Sequence, residues 1–98
     1  MKFSQKVYKL CKKIPKGKVS TYKILAEKLN SRAYRAVGQA LNKNPEPEKI
    51  PCHRVVASNG HLHGFASGLK NKAKLLKSEG ITIKNNKIQN FEKILHKF

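Results

Sequence analysis

Acidic residues are scarce in this chain of 98 residues, which has five Asp and Glu against 22 Lys and Arg. The formal net charge of +17 is far from the balance of an ordinary intracellular protein. A surface of this charge attracts polyanions, so nucleic acid is the first expected partner and an acidic membrane surface the second. Lysine enrichment across a whole lineage is the alternative explanation, since some thermophile proteomes favour lysine.

Long apolar runs are also absent. No segment approaches the roughly 20 apolar residues of a membrane-spanning helix, so no membrane insertion is expected. The start of the chain has no apolar stretch typical of a signal peptide. We therefore expect a reducing compartment, which is the cytoplasm or the nucleoid, or the nucleus if the source is a eukaryote.

Cysteine is rare, with Cys11 and Cys52 as the two in the chain. They form neither a Cys-x-x-Cys motif nor the Cys/His spacing of a zinc site, so neither a metal nor a cofactor is expected. Cys11 falls on the apolar face of a predicted helix and is expected in the core. Cys52 is expected to remain a free thiol in a reducing compartment.

The chain has no repeat, linker or low-complexity tract, which indicates one domain over residues 1–98. Apolar periodicity predicts a helix over 3–14, a second from Thr21 to Leu29, a third between Ser31 and Asn44, and a fourth from Leu69 to Glu79. Ala33 in the third helix and Leu69, Leu75 and Leu76 in the fourth are expected to face inward. Thr21 is the predicted N-cap of the second helix, and Gly80 is the predicted C′ residue of the fourth.

Short strands are predicted at two places after the third helix. Val55 to Ala57 leads into a turn at 58–60, which favours a hairpin or wing, and two further strands flank Asn85 and Asn86. A mainly helical chain with a small β wing and two short helices joined by a polar turn is typical of a winged helix-turn-helix.

The segment around Cys52 is the most chemically reactive in the sequence. A thiol reacts as its thiolate, so a reactive cysteine needs a base or a positive field that lowers a pKa ordinarily near ~8.5. His53 and Arg54 follow directly, and Pro51 restricts the backbone, which favours a nucleophile on a rigid, non-helical segment. The dipeptide alone leaves open a small buried hydrophobe beside a solvated histidine.

Several motifs occur in order and together resemble the O6-alkylguanine-DNA alkyltransferases. They are Arg35-Ala36-Val37-Gly38, Asn44-Pro45, Pro51-Cys52-His53-Arg54-Val55-Val56, Gly64-Phe65-Ala66-Ser67-Gly68-Leu69 and Leu75-Leu76-x-x-Glu79-Gly80. The resemblance covers nearly the whole chain. It implies the family's C-terminal domain, which holds the chemistry, without the N-terminal domain that members commonly carry.

The resemblance implies stoichiometric repair of O6-alkylguanine, with O4-alkylthymine left open as a second substrate. Cys52 would attack the alkyl carbon and keep the group as a thioether, so one molecule repairs one base. His53 would take the thiol proton through a water, and Glu79 would orient the imidazole. Asn44 would tie the helix-turn-helix to the active-site segment, and Tyr22 would contact the target phosphate or base and aid proton supply to guanine.

The resemblance also implies a monomer that binds double-stranded DNA through the minor groove. Arg35 would enter the duplex and fill the space of an extruded nucleotide, because a stacked base cannot present its alkyl carbon to a thiol. Small residues allow a close approach to the groove. The implied DNA-binding residues are Arg35, Tyr22, Ala33, Ala36, Gly38 and Arg54. Tight helix packing beneath a solvated basic face is the alternative for the third helix.

The implied substrate pocket departs from the commoner family pattern at two positions. Phe65 stands where many members have Tyr, and Ala66 stands where Ser is frequent. A hydrogen bond to O6 would then come from backbone N–H groups, and the preference between methyl and bulkier groups would change. Ser67, Pro51 and Val55 complete the pocket. Lys72 matches a basic residue that the family places near the site.

Three other functions compete with alkyl transfer. Alkyltransferase-like proteins share the scaffold and bind alkylated guanine without transferring the group, but they characteristically replace the nucleophile, and Cys52 argues against that class. A cysteine hydrolase lacks an Asn or Asp partner and a Gly-rich oxyanion loop. A plain winged-helix DNA binder leaves the Pro-Cys-His-Arg segment unexplained.

Overall fold

A computed structural model of the chain describes residues 2–46, 49–62 and 68–98. Within these ranges the fold is mainly helical with two small sheets, which confirms the expected fold class. The elements in chain order are α1 (Phe3–Cys11), β1 (Ser20–Thr21), α2 (Tyr22–Lys28), α3 (Tyr34–Asn42), a 3₁₀ turn (Cys52–Arg54), β2 (Val55–Val56), α4 (Leu69–Ser78), β3 (Ile83–Lys84), β4 (Lys87–Ile88) and α5 (Phe91–Ile94).

Helix α1 packs its apolar face against α2 and α3, as its periodicity predicted. Val7 and Cys11 are fully buried, and Leu10 is nearly so. The α-helix ends at Cys11 rather than at residue 14, because the last turn tightens into i to i+3 hydrogen bonds, with the Ile14 N–H donating to the Cys11 carbonyl oxygen at 3.1 Å. Cys11 is therefore a core residue.

Helices α2 and α3 form the expected helix-turn-helix. Thr21 caps α2, since its side-chain oxygen accepts a hydrogen bond from the Ile24 N–H at 3.0 Å. Asn30 takes a φ of 55° in the connection, and Val37 on α3 is buried against α2. Ala33 was expected to face inward, but it precedes the helix and is exposed, because α3 begins only at Tyr34.

The pairing of β2 differs from the expectation. Ser20 and Thr21 pair in parallel with Val55 and Val56, so β2 is not the first strand of a hairpin. Both residues of β2 are fully buried, as in a strand covered on two faces, whereas an outer hairpin strand has one solvated face. The expected tight turn does follow, with the Gly60 N–H donating to the Ala57 carbonyl oxygen at 2.9 Å.

The antiparallel hairpin of the fold is formed by β3 and β4. Its two-residue turn has φ values of 53° at Asn85 and 58° at Asn86, and positive φ at both central residues is typical of a I′ turn. The hairpin packs on the turn that follows β2, because the Leu62 N–H donates to the Asn86 carbonyl oxygen at 2.8 Å. The expected strands around Asn85 are therefore confirmed.

Helix α4 is rotated relative to the expectation. Leu69 and Leu75 are 37% and 36% exposed, so their predicted inward orientation is wrong. Leu76 is buried as predicted, and Lys72, one helical turn before it, is also buried. The helix ends before Gly80, whose φ of 88° matches the predicted left-handed C′ position.

The cap on α2 can be tested directly. Replacing Thr21 with Val keeps the shape and removes the oxygen that receives the Ile24 N–H, so we expect the free energy of unfolding to fall by about 1 kcal/mol. Thr21→Ser keeps the oxygen and should lose less. Urea unfolding measures both variants, and a Thr21→Val variant as stable as the wild type would show that the cap does not contribute to stability.

Candidate active site

The 3₁₀ turn presents Cys52 at the meeting point of the parallel strand pair and the helix-turn-helix. The Arg54 N–H donates to the Pro51 carbonyl oxygen at 3.0 Å, which closes the turn. Cys52 is 8% exposed and lies in the same apolar cluster as Leu25 and Val37. The segment was expected to be non-helical, and it is instead a single helical turn held between proline and β2.

Asn44 connects the end of α3 to the segment before Cys52. Its side-chain Nδ2 donates to the Ile50 carbonyl oxygen at 2.9 Å, while its Oδ1 accepts from the Glu46 N–H at 2.9 Å. These two bonds span the connector between α3 and Pro51. They provide the link that the resemblance implied for Asn44, whose importance for a reaction stays a prediction.

The carboxylate of Glu79 binds two side chains of the 3₁₀ turn, the imidazole of His53 and the guanidinium of Arg54. Its Oε2 lies 3.1 Å from the Nε2 of His53, and the same oxygen accepts from Nη2 of Arg54 at 2.5 Å. Arg54 also donates from Nε to Oε1 of Glu79 at 3.0 Å and from Nη1 to the Ile14 carbonyl oxygen at 2.9 Å. The carboxylate therefore fixes the imidazole from one side.

The electrostatics of this cluster favour a neutral imidazole beside a charged carboxylate. Burial lowers the pKa of His53 below its ordinary value, although the hydrogen bond to Glu79 opposes the shift. Burial raises the pKa of Glu79, but hydrogen bonds from Arg54 and His53 outweigh it and hold that pKa below its ordinary value. A neutral ring must donate Nε2–H to the carboxylate, which leaves Nδ1 as an acceptor.

The side chain of Arg54 is largely occupied by contacts inside the protein. Arg54 was expected among the DNA-binding residues, but its side chain is 16% exposed and its donors are directed to Glu79 and the Ile14 carbonyl. An arginine that follows a cysteine and a histidine carries no sequence signal that separates an internal ion pair from a surface contact. A direct role toward DNA stays a prediction, and the structure shows it organising the cluster.

The burial of Lys72 was not predicted from the sequence, although the residue matches a basic position that the family places near the site. Lys72 is fully buried, and its Nζ donates to the Val55 carbonyl oxygen at 2.7 Å and lies 5.8 Å from the ring centre of Tyr22. Burial lowers the pKa of Lys72 to about 8, and a charge on Cys52 opposes that shift. A signal was present, because Lys72 occupies the apolar row of α4 one turn before Leu76.

Tyr22 lies close to both Lys72 and helix α3. Burial raises the pKa of its phenol to about 12, and charge on Cys52 adds to the rise. The phenol therefore stays protonated at neutral pH. A Cβ atom added to Gly38 would lie 3.9 Å from Cε1 of Tyr22, so the small residue allows α3 to approach this ring closely.

The remaining predicted DNA-binding residues lie on or next to α3. Arg35 and Ala33 are exposed, and Ala36 and Gly38 are half-buried. Tyr34, beside Arg35, is 41% exposed. The structure therefore leaves the arginine on an open surface, on the same helix that approaches Tyr22.

The predicted pocket is described only in part. Pro51 is half-buried and Val55 is fully buried, with its carbonyl bonded to Lys72. Phe65, Ala66 and Ser67 lie outside the described residues. Within the described ranges, no group of three or more His, Cys, Asp or Glu residues could hold a metal ion, and no helix is long and apolar enough to cross a membrane.

Comparisons with known proteins agree with this arrangement. Residues 2–81 match the family model described as 6-O-methylguanine DNA methyltransferase, DNA binding domain. A relative from Methanosarcina mazei named methylated-DNA–protein-cysteine methyltransferase is 47% identical over 83 residues, which are 84% of this chain and 52% of that protein.

Two solved structures with bound DNA are similar in fold. S. pombe Atl1, in complex with damaged DNA containing O6-carboxymethylguanine, has a TM-score of 0.83 and 30% identity, over 98% of this chain and 95% of that chain. Mycobacterium tuberculosis OGT, in complex with DNA, has a TM-score of 0.77 and 38% identity, over 81% of this chain and 50% of that chain.

The fold and its relatives define a helix-turn-helix domain of the alkyltransferase class. The family match covers residues 2–81, and the Methanosarcina mazei relative adds 47% identity over 83 residues, so the chain belongs to the 6-O-methylguanine DNA methyltransferase family. It spans about half the length of the curated relatives that it matches, 52% of the Methanosarcina mazei protein.

The depressed pKa of His53 predicts a specific loss of stability in mild acid. The unfolded chain binds a proton on this ring at a higher pH than the folded chain does, so the free energy of unfolding should fall as the pH drops below about 6.5. The lowered pKa of Glu79 acts in a lower window, where stability is lost as the pH falls below about 4.3.

Urea unfolding between about pH 7 and about pH 5 measures the histidine contribution separately from the carboxylate. His53→Gln should flatten the slope of stability against pH in this interval. His61→Gln is the matched control, because His61 is exposed and its replacement should leave the slope unchanged. Equal slopes in the wild type and His53→Gln would contradict the assignment.

Proposed function

We propose that this chain repairs DNA by moving the alkyl group of O6-alkylguanine onto Cys52, once per molecule. The observation that carries the proposal is the contact of His53 with Glu79. The imidazole of His53 is neutral, and His53 directly follows Cys52 in the sequence. The family membership and the relatives named as methylated-DNA–protein-cysteine methyltransferases support the same reaction. O4-alkylthymine is a second candidate substrate of the same chemistry.

The reaction needs a thiolate and an acceptor for its proton. Nδ1 of His53 takes the thiol proton through a bridging water, and Glu79 stabilises the imidazolium that forms. The sulfur forms a bond to the alkyl carbon as the bond from O6 to that carbon breaks. The electron pair of the broken bond stays on guanine, which takes up a proton, while the thioether has no leaving group and ends the reaction.

Lys72 and Tyr22 support the reaction at two points, the thiolate before transfer and the guanine that receives electrons after it. The ammonium of Lys72 is a positive charge inside the core, and charge on Cys52 raises the pKa of that ammonium, so the two groups interact. The phenol of Tyr22 keeps its proton at neutral pH and serves as a hydrogen-bond donor to the base or the adjacent phosphate. Lys72 lies 5.8 Å from the ring centre of Tyr22, which in turn lies close to Gly38 of α3.

Binding to DNA uses the exposed side of α3. The small residues at Ala33, Ala36 and Gly38 allow approach to the minor groove, and Arg35 fills the space left by the extruded nucleotide. The net charge of +17 adds a sequence-independent attraction to phosphates through counterion release. We propose that the chain acts on double-stranded DNA as a monomer, in the cytoplasm or nucleoid or in a nucleus.

A second candidate function is damage recognition without transfer. The likeness to S. pombe Atl1 extends over 95% of that chain, including the region beyond residue 81 that the family model does not reach. In that function Cys52 would be an inert core residue. The buried His53 held by Glu79, next to Cys52 in the chain, and the buried Lys72 favour transfer instead.

Intact-mass measurement after incubation with DNA containing O6-methylguanine distinguishes the two functions. We expect a gain of one methyl group per molecule, located on the peptide that contains Cys52, and no turnover beyond one equivalent. Cys52→Ser should gain no methyl group. Cys11→Ser is the matched control and should react fully, because Cys11 is buried in the core and burial raises its pKa to about 12.

Methyl transfer to Cys11, or more than one equivalent of repaired base per molecule, would contradict the mechanism. An unmodified Cys52 together with tight binding to the lesion would establish the recognition function instead.

Arg35 provides a test of nucleotide extrusion. Arg35→Ala should slow transfer from duplex DNA by about tenfold or more, since unstacking a base costs a few kcal/mol, and should leave the reaction with free O6-benzylguanine unchanged. Arg32→Ala removes one exposed charge just before α3 and is the control for electrostatics. Equal slowing with duplex and free base would show that Arg35 does not act in extrusion.

A further inference from the structure

A cleft of about 460 Å³ opens beside the His53–Glu79 pair. Its walls include His53, Arg54 and Glu79, its apolar edge is Leu75 on α4, and its rim carries Lys12 and Lys49. Both lysines are exposed, and Leu75 is 36% exposed. The cleft therefore connects the buried imidazole to solvent.

This cleft contains none of the residues of α2 and α3 that are proposed to contact DNA. Among the described residues, its lining does not contain Cys52 either, although it includes Pro51, which the resemblance places in the substrate pocket. Cys52 lies instead in the apolar cluster with Leu25 of α2 and Val37 of α3. The cleft therefore reaches the imidazole from outside the cluster that holds the thiol.

We propose that this cleft is the proton exit of the active site, through which His53 exchanges protons with solvent while DNA covers the face that holds Cys52. The inference rests on the proposed function and adds to it a route that is independent of the DNA side. A bound duplex excludes water from the thiol face, so a base that could reach solvent only through that face would keep its proton until DNA left.

The number of protons is conserved when methyl transfer uses this route. The thiol proton passes to His53 as the carbon–sulfur bond forms, and the imidazolium releases it to water in the cleft. The guanine that receives the electron pair of the broken carbon–oxygen bond takes up one proton from the pocket side. One proton is released and one is taken up, so the reaction has no net change.

Burial of His53 favours release of the proton. Burial has the largest effect on the ring and lowers the pKa of the imidazole, Glu79 raises that pKa, and Arg54 and Lys72 lower it. Lys12 follows α1 and Lys49 precedes Pro51, and both are exposed cations in the lining of the cleft. Glu79 holds the imidazolium while the thiol proton is transferred, and burial then favours its return to the neutral ring by loss of a proton to water in the cleft.

Deuterium exchange at the ring carbon between the two nitrogens of His53, read by mass spectrometry, tests the route. The probe is Cys52→Ala bound to DNA that contains O6-methylguanine, compared with the same variant alone. We expect this DNA to leave the exchange rate of His53 unchanged, whereas the same duplex without the lesion should protect Cys52 of the wild type from iodoacetamide. Protection of His53 and Cys52 together would overturn the proposal, because it would mean that solvent reaches both from the DNA side.

A pair of tryptophan variants separates the cleft from the helix that borders it. Leu75→Trp should fill the cleft and leave the affinity for DNA unchanged. It should slow both His53 exchange in the complex and methyl transfer by about tenfold, which is a part of the rate that a general base contributes. Leu69→Trp is the matched control, since Leu69 is similarly exposed on α4 but does not line the cleft. It should change neither rate.

The outcomes for the two proposals differ. If Leu75→Trp transfers methyl groups as fast as the wild type while its circular dichroism is native, the cleft is not the exit. If the wild type gains no methyl group but His53 exchange is still insensitive to DNA, the proposed transfer fails and the solvent route to His53 stands.

Discussion

The carboxylate of Glu79 is the contact on which the arrangement around Cys52 depends. It lies at the end of α4, accepts from Arg54 through two nitrogens and holds Nε2 of His53 at 3.1 Å. Arg54 in turn reaches the Ile14 carbonyl after α1. Charged and buried, the carboxylate joins three segments that are distant in sequence, and it decides which nitrogen of the imidazole carries the proton.

The lysines of the chain are of two kinds, exposed and buried. Most of its lysines are exposed and contribute a general attraction to phosphates, whereas Lys72 is fully buried and bonded to the backbone of β2. A buried ammonium is costly, and its lowered pKa shows that cost. Its retention next to Cys52 and Tyr22 is consistent with the proposed need for a positive field at the thiol.

The sequence predicted the features that have a local or periodic cause. The cap at Thr21, the turn at Asn85 and the core position of Cys11 follow from short-range patterns, and the structure confirms them. The parallel pairing of β1 with β2 was not predicted, because two strands of two residues leave no periodic signal and the pairing joins residues distant in the chain. The ion pair of Arg54 with Glu79 was not predicted, because it depends on tertiary contact alone.

The most direct test of the account is the protonation state of His53 at neutral pH, read by nitrogen-15 NMR of its ring. The contact with Glu79 and the lowered pKa of His53 predict a neutral ring with a proton on Nε2 and none on Nδ1, the nitrogen that the mechanism assigns to the thiol proton. An imidazolium, or a neutral ring protonated on Nδ1, would contradict the central claim.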